Sequence, residues 1–208
     1  MEQGVINKKI LGGDLKDIFE PHQIITDNIG SGAGNNWAQG NMEYGPKYKD
    51  EIEDKIRAQA EHCDSLQGFF FLHSLGGGTG SGLGTYILSD LADLYPSVFK
   101  FSTCVFPSND DDVITSPYNS MLALNELINS ADCILPVDNQ ALFDIVQKVD
   151  SQYEKKKNAF GKEDSHNAIK GGTSVIESGN EKKKGNHFEK ENSIVANVIN
   201  NMTCSMRF

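Results

Sequence analysis

Gly76-Gly77-Gly78-Thr79-Gly80-Ser81-Gly82 takes its meaning from what flanks it. Upstream, Leu66-Gln67-Gly68-Phe69-Phe70-Phe71-Leu72-His73-Ser74-Leu75 holds a short apolar run with the length and aromatic content of a buried strand. Downstream, Leu83, Ile87, Leu88, Leu91 and Leu94 recur at helical spacing, with Ser89, Asp90 and Asp93 on the other face. Strand, glycine loop, helix is the order that points backbone N–H groups and a helix N-terminus at an anion. Glycines let the backbone approach phosphate oxygens closely, and Thr79 and Ser81 add hydroxyl donors. A flexible Gly/Ser linker is the alternative, but linkers are not wedged between a core strand and an amphipathic helix. The loop lacks the Gly-Lys-Ser/Thr ending of a Walker A loop. It also lacks the register and distal acidic residue of a dinucleotide reader.

Outward from this loop, units of strand then helix follow one another, which predicts a mostly parallel sheet covered on both faces. A helix is expected over 46–63, with Tyr48, Ile52, Ile56 and Ala60 on one stripe. The strand 68–73 and the helix 83–94 come next, then a strand over 98–106. Pro117 opens a helix running through Ile128. A strand over 131–137 and a short helix over 139–149 complete the run, and Phe188 to Met206 reads as a long helix.

At 208 residues the chain is sized for one α/β domain, and its 38% hydrophobic content is globular but lean. The leanness comes from residues 148–187, which hold nine lysines against six acids, a net +3 within a chain of net −10. The remainder therefore carries −13, which offers nucleic acid no basic face. The runs Lys155–Lys157 and Lys182–Lys184 belong either to a solvated disordered insert or to a patch for acidic tails or a localisation receptor. Cys63, Cys104, Cys133 and Cys204 have no metal-ligand or disulfide spacing, and Cys104 and Cys133 sit in apolar runs as small core hydrophobes. That usage suits a reducing cytosol. Neither a signal peptide nor a membrane span is expected.

The loop itself resembles the glycine signature of the tubulin superfamily, and four further segments resemble tubulin in the same order. These are Ser31–Gly40, Ala60–Gly68, Asp138–Ile145 and Thr203–Phe208. The acidic stretch Asp110–Asn119 and the long insert before the last helix are most similar to epsilon-tubulin. The resemblance implies a doubly wound α/β sheet, a tubulin-type Rossmann-like GTPase domain truncated at both ends. It divides the chain into a partial nucleotide-binding domain over 1–147, a disordered insert over 148–187, and the central helix over 188–208. Met1-Glu2-Gln3-Gly4 aligns just after the second strand of tubulins. A sheet without its first strand loses several buried side chains at roughly 1.5–3 kcal/mol each. The polypeptide alone is therefore expected to fold poorly.

The resemblance also implies the site, with GTP or GDP as ligand. Gly76, Gly77, Gly78, Thr79, Gly80 and Ser81, with Ser74 just upstream, would cradle the α- and β-phosphates. Ala33, Gly34 and Asn35 would approach the γ-phosphate. Asn139 and Asn192 would bond the guanine edge, and Phe188 would stack on the purine, though by residue type alone it reads as a core aromatic. Asp112 stands in for the ribose contact, Ser116 replacing the usual glutamate; an exposed turn is the alternative for the acidic cluster. Glu2 would lie near Mg²⁺. Expected partners are other tubulins and centriolar or microtubule proteins, in the cytoplasmic cytoskeleton at a centrosome, centriole or basal body. No nucleic acid or membrane is expected among them. Autonomous GTP hydrolysis is not expected, because the resemblance puts the activating loop after the central helix. A short non-nucleotide-binding isoform or incomplete gene product acting only as an interaction module is the second reading. A metabolic enzyme binding a phosphorylated substrate is the third, and no acid–base pair or nucleophile accompanies the loop.

Overall fold

The structure is a computed structural model and describes residues 4, 6–13, 16–26, 32–108, 113–160 and 189–207. It divides into two compact units, 1–138 and 139–208, and each is described by itself.

In the first unit a wide helical turn, Gln39–Tyr44, runs into helix α1, Gly45–Glu61, with Pro46 in its first turn. There the missing N–H of proline costs nothing. Strand β1, Gly68–Ser74, leads through the glycine loop into a second wide turn, Thr79–Leu83, and helix α2, Gly84–Leu94. Strand β2, Phe99–Val105, helix α3, Ser116–Ser130, and strand β3, Cys133–Val137, follow. The three strands form one parallel sheet in the order β1-β2-β3, with Phe70 opposite Phe101 and Ser102 opposite Ile134. This is the expected parallel α/β fold.

Sequential order and right-handed crossovers put α2 and α3 on the same face, where they pack together. The register carries His73, Ser102 and Cys104 to that face, and the latter two are fully buried. On the opposite face Leu72 and Phe99 are more than half exposed, while Thr103, opposite Leu72, is buried. Trp37, Leu75, Leu88, Cys104, Ala123 and Leu127 form the core under α2 and α3. A second cluster of Ala33, Tyr44, Ile52 and Leu83 joins α1 to the loop region. The Cys104 thiol sits in the core as expected, and burial pushes its pKa up.

Among its described residues the second unit contains two packed helices, α4, Asn139–Phe160, and α5, Glu189–Arg207. Here one expectation is corrected. The helix expected to end at 149 continues to Phe160, so residues 148–160, assigned to a disordered insert, are helical. Residues 150–160 contain neither glycine nor proline and include Glu154 and Lys155–Lys157, all good helix formers. Charge content marked the segment as solvated, and a solvated segment is still free to be a helix. Lys190 Nζ donates to Asp150 Oδ2 at 2.6 Å between α4 and α5, an exposed pair of small energetic weight. The rest of that insert, 161–187, lies outside the described residues. Among the described residues no helix is long and apolar enough to cross a membrane.

Candidate functional site

Two backbone walls enclose a polar recess of about 290 Å³ in the first unit. One wall is the turn Gly32-Ala33-Gly34-Asn35, and the other is Ser74 with Gly77, Gly78, Thr79 and Gly80. The turn is left-handed at three of its four residues, with φ of 63° at Gly32, 54° at Gly34 and 53° at Asn35. Asn35 is the one non-glycine described residue with positive φ, a conformation asparagine tolerates better than most. No lining residue carries a charge. What the recess offers a ligand is backbone amides and hydroxyls, the donor set suited to an anion's oxygens.

The glycine wall is held in three ways. Gly82 N–H closes onto Gly78 O at 2.8 Å, and the amides of Thr79 and Gly80 lie ahead of that bond, at the start of a helical segment whose first N–H groups have no intrahelical partner. Thr79 Oγ1 accepts the Ala33 N–H at 3.2 Å, which joins the walls and leaves the hydroxyl proton to donate inward. Gly76 O accepts from Ser116 Oγ at 3.2 Å and from Asn119 Nδ2 at 3.0 Å, fixing the loop's entry to the start of α3.

His73 lies beneath the loop, its Nε2 2.9 Å from Ser102 Oγ. Burial lowers its pKa from the ordinary 6.5, partly offset by the carbonyls of Gly80 and Ser74. The folded state thus binds a proton less readily than the unfolded chain, so stability is present above the unfolded pKa and is lost as pH falls below about 6.5. Thermal melts between pH 7.5 and 5.5 should show this acid destabilisation, and it should shrink in His73→Gln.

Residues 1–147 match the sequence profile of the Tubulin/FtsZ family, GTPase domain. The chain belongs to the Tubulin/FtsZ family. It is 50% identical over 210 residues to the tubulin epsilon chain of Homo sapiens, covering 100% of this chain and 42% of that protein. The match to the tubulin epsilon chain of Mus musculus is also 50%, over 211 residues and the same shares. The tubulin beta-6 chain of Gossypium hirsutum is 42% identical over 146 residues, covering 70% of this chain and 32% of that protein. The epsilon likeness thus extends through the whole chain, whereas the beta likeness covers less of it. The chain spans about two-fifths of the length of its epsilon relatives.

In this tubulin-family chain the recess brings together Ala33, Gly34, Asn35, Ser74, Gly77, Gly78, Thr79 and Gly80 of the expected phosphate residues. Gly76 and Ser81 do not line it. Ser81 is fully buried and its hydroxyl donates to Gly77 O, so it braces the loop from behind instead of adding a donor to the recess. Asn139 is the first residue of α4 and Asn192 is exposed in the first turn of α5, both in the second unit. Asp150, which ties α4 to Lys190, lies three turns along α4 from Asn139, at roughly 1.5 Å per residue. Glu2, Asp112 and Phe188 lie outside the described residues. Among the described residues no group of three His, Cys, Asp or Glu is placed to hold a metal ion.

The sequence reading missed Trp37 and Asn119. Trp37 is buried and its Nε1 donates to Thr85 Oγ1 at 3.3 Å, pinning the end of the left-handed turn to α2. A clue to Asn119 was available in the sequence. An asparagine four residues before Ala123 and eight before Leu127 falls on the inward stripe of α3, and a buried carboxamide must have partners.

Proposed function

We propose that this chain binds GTP or GDP as part of a tubulin-type cytoskeletal subunit, with an epsilon-tubulin-like role at centrioles or basal bodies. The observation that carries the reading is the uncharged recess of backbone amides and the Ser74 and Thr79 hydroxyls between the Gly32–Asn35 and Ser74–Gly80 walls. It has the size and donor set for a polyphosphate, and family membership supplies guanosine as the base. The Ser74–Gly80 wall takes the α- and β-phosphates, and Ala33, Gly34 and Asn35 take the γ-phosphate. Asn139 and Asn192 read the guanine edge, Phe188 stacks on it, and Asp112 meets the ribose. The recess has no basic side chain, so Mg²⁺ would supply the positive charge that balances the phosphates, and Glu2 would be the residue near it. Other tubulins and centriolar or microtubule proteins are the partners.

Nucleotide titration of the full-length protein tests the base assignment. GTP should bind more tightly than ATP, and Asn192→Asp should reduce that preference about tenfold, the value of one good polar contact to a base. An unchanged preference in Asn192→Asp removes that residue from the guanine site.

A further inference from the structure

Asn119 lies behind the recess, and its carboxamide touches both walls. The side chain is buried, with 3% of its surface exposed. Its Oδ1 accepts the Trp37 N–H at 2.9 Å. Its Nδ2 donates to Asn35 O at 2.8 Å and to Gly76 O at 3.0 Å. A carboxamide has two donors on one nitrogen and an acceptor oxygen on the other arm, and here each goes to a different backbone group. Aspartate has no donor for the two carbonyls, and alanine leaves the buried Trp37 N–H unpaired and takes one of two donors from each carbonyl, which is costly. Thr115 Oγ1, one turn earlier on the approach to α3, adds a second bond to Asn35 O at 2.9 Å.

From this geometry we infer that Asn119 is a positioning residue that holds the Gly32–Asn35 turn in register with the glycine loop and thereby sets the preference for a nucleoside triphosphate over a diphosphate. The inference rests on the nucleotide-binding reading above and deepens it. A diphosphate is held by the glycine loop alone, whereas a triphosphate must reach both walls at once. Loss of register therefore weakens the longer ligand more, in the way that any misplacement of preorganised donors does.

The test combines amide hydrogen exchange with nucleotide titration on the full-length protein, comparing wild type with Asn119→Asp and Thr115→Val. In Asn119→Asp, exchange across 32–40 should rise about tenfold while the strand 99–105 keeps its protection, the free energy of that opening being lowered by roughly one hydrogen bond. GTP affinity should fall about tenfold more than GDP affinity. Thr115→Val should move both readouts the same way by a smaller factor. Unchanged exchange at 32–40, or equal losses for GTP and GDP, would overturn the inference. If Asn119→Asp also exposes 99–105, the variant has lost its fold and Thr115→Val decides, no change at 32–40 there counting against the proposal. If wild type binds no guanine nucleotide, the proposed function fails separately, and the exchange result alone decides whether Asn119 positions the turn.

Discussion

Gly82→Ala is expected to destabilise the first unit by about 3 kcal/mol, the upper range for overpacking a filled site. The glycine is buried, and a Cβ there would run into the carbonyl oxygen of Trp37. It would also lie 2.9 Å from Asn41 N and 2.9 Å from Gly40 Cα. All three are backbone atoms, so no flexible side chain can swing aside. Gly40 faces the same contact from the other side, its own Cβ position blocked by the Gly78 carbonyl and by Leu83 N at 2.9 Å. The wide turns Gln39–Tyr44 and Thr79–Leu83 therefore touch backbone to backbone. A drop in Tm of about 10 °C is the expected readout for a unit of this size. A variant melting within 2 °C of wild type would show that the turns are not in contact.

Gly77→Ala should have the opposite profile. Its Cβ would meet Asn35 Oδ1 at 3.7 Å, an ordinary contact, and nothing else within 4 Å. Both residues line the recess, so the added methyl occupies ligand space while the fold is left alone. Stability should change by less than about 1 kcal/mol. Affinity for GTP should fall by about a hundredfold, since the methyl displaces phosphate from charge-assisted backbone contacts worth roughly 1.5–3 kcal/mol each. Together the two substitutions separate what the glycines do, Gly82 serving the packing of the fold and Gly77 the recess.

That separation shows where the sequence was legible. Strand, loop and helix around residues 66–94 were readable because apolar runs of period 3.6 and short aromatic runs report burial directly, and the parallel order followed from their alternation. Most of the recess could be named because it is made of backbone, and glycine is the residue that marks exposed backbone. The same logic over-reached at Ser81, whose hydroxyl looked like a ligand donor but is spent on Gly77 O. A sequence shows that a hydroxyl is present and does not show which way it points. Gly78, assigned to the phosphates, does line the recess, and it is also packed against backbone atoms of Ala33 and Asn36, a contact that no local pattern reveals. Asn119 escaped notice because its partners lie 43 and 84 residues away, at separations that no local pattern encodes. The extension of α4 past 149 escaped because composition reports solvation better than it reports conformation.

The most direct test is a calorimetric titration of GTP into the full-length protein, run beside Gly77→Ala. Saturable one-site binding to wild type, weakened about a hundredfold in the variant while its melting curve is unchanged, is the result the recess predicts. Equal GTP affinity in both proteins would place the nucleotide elsewhere and contradict the phosphate role of this loop.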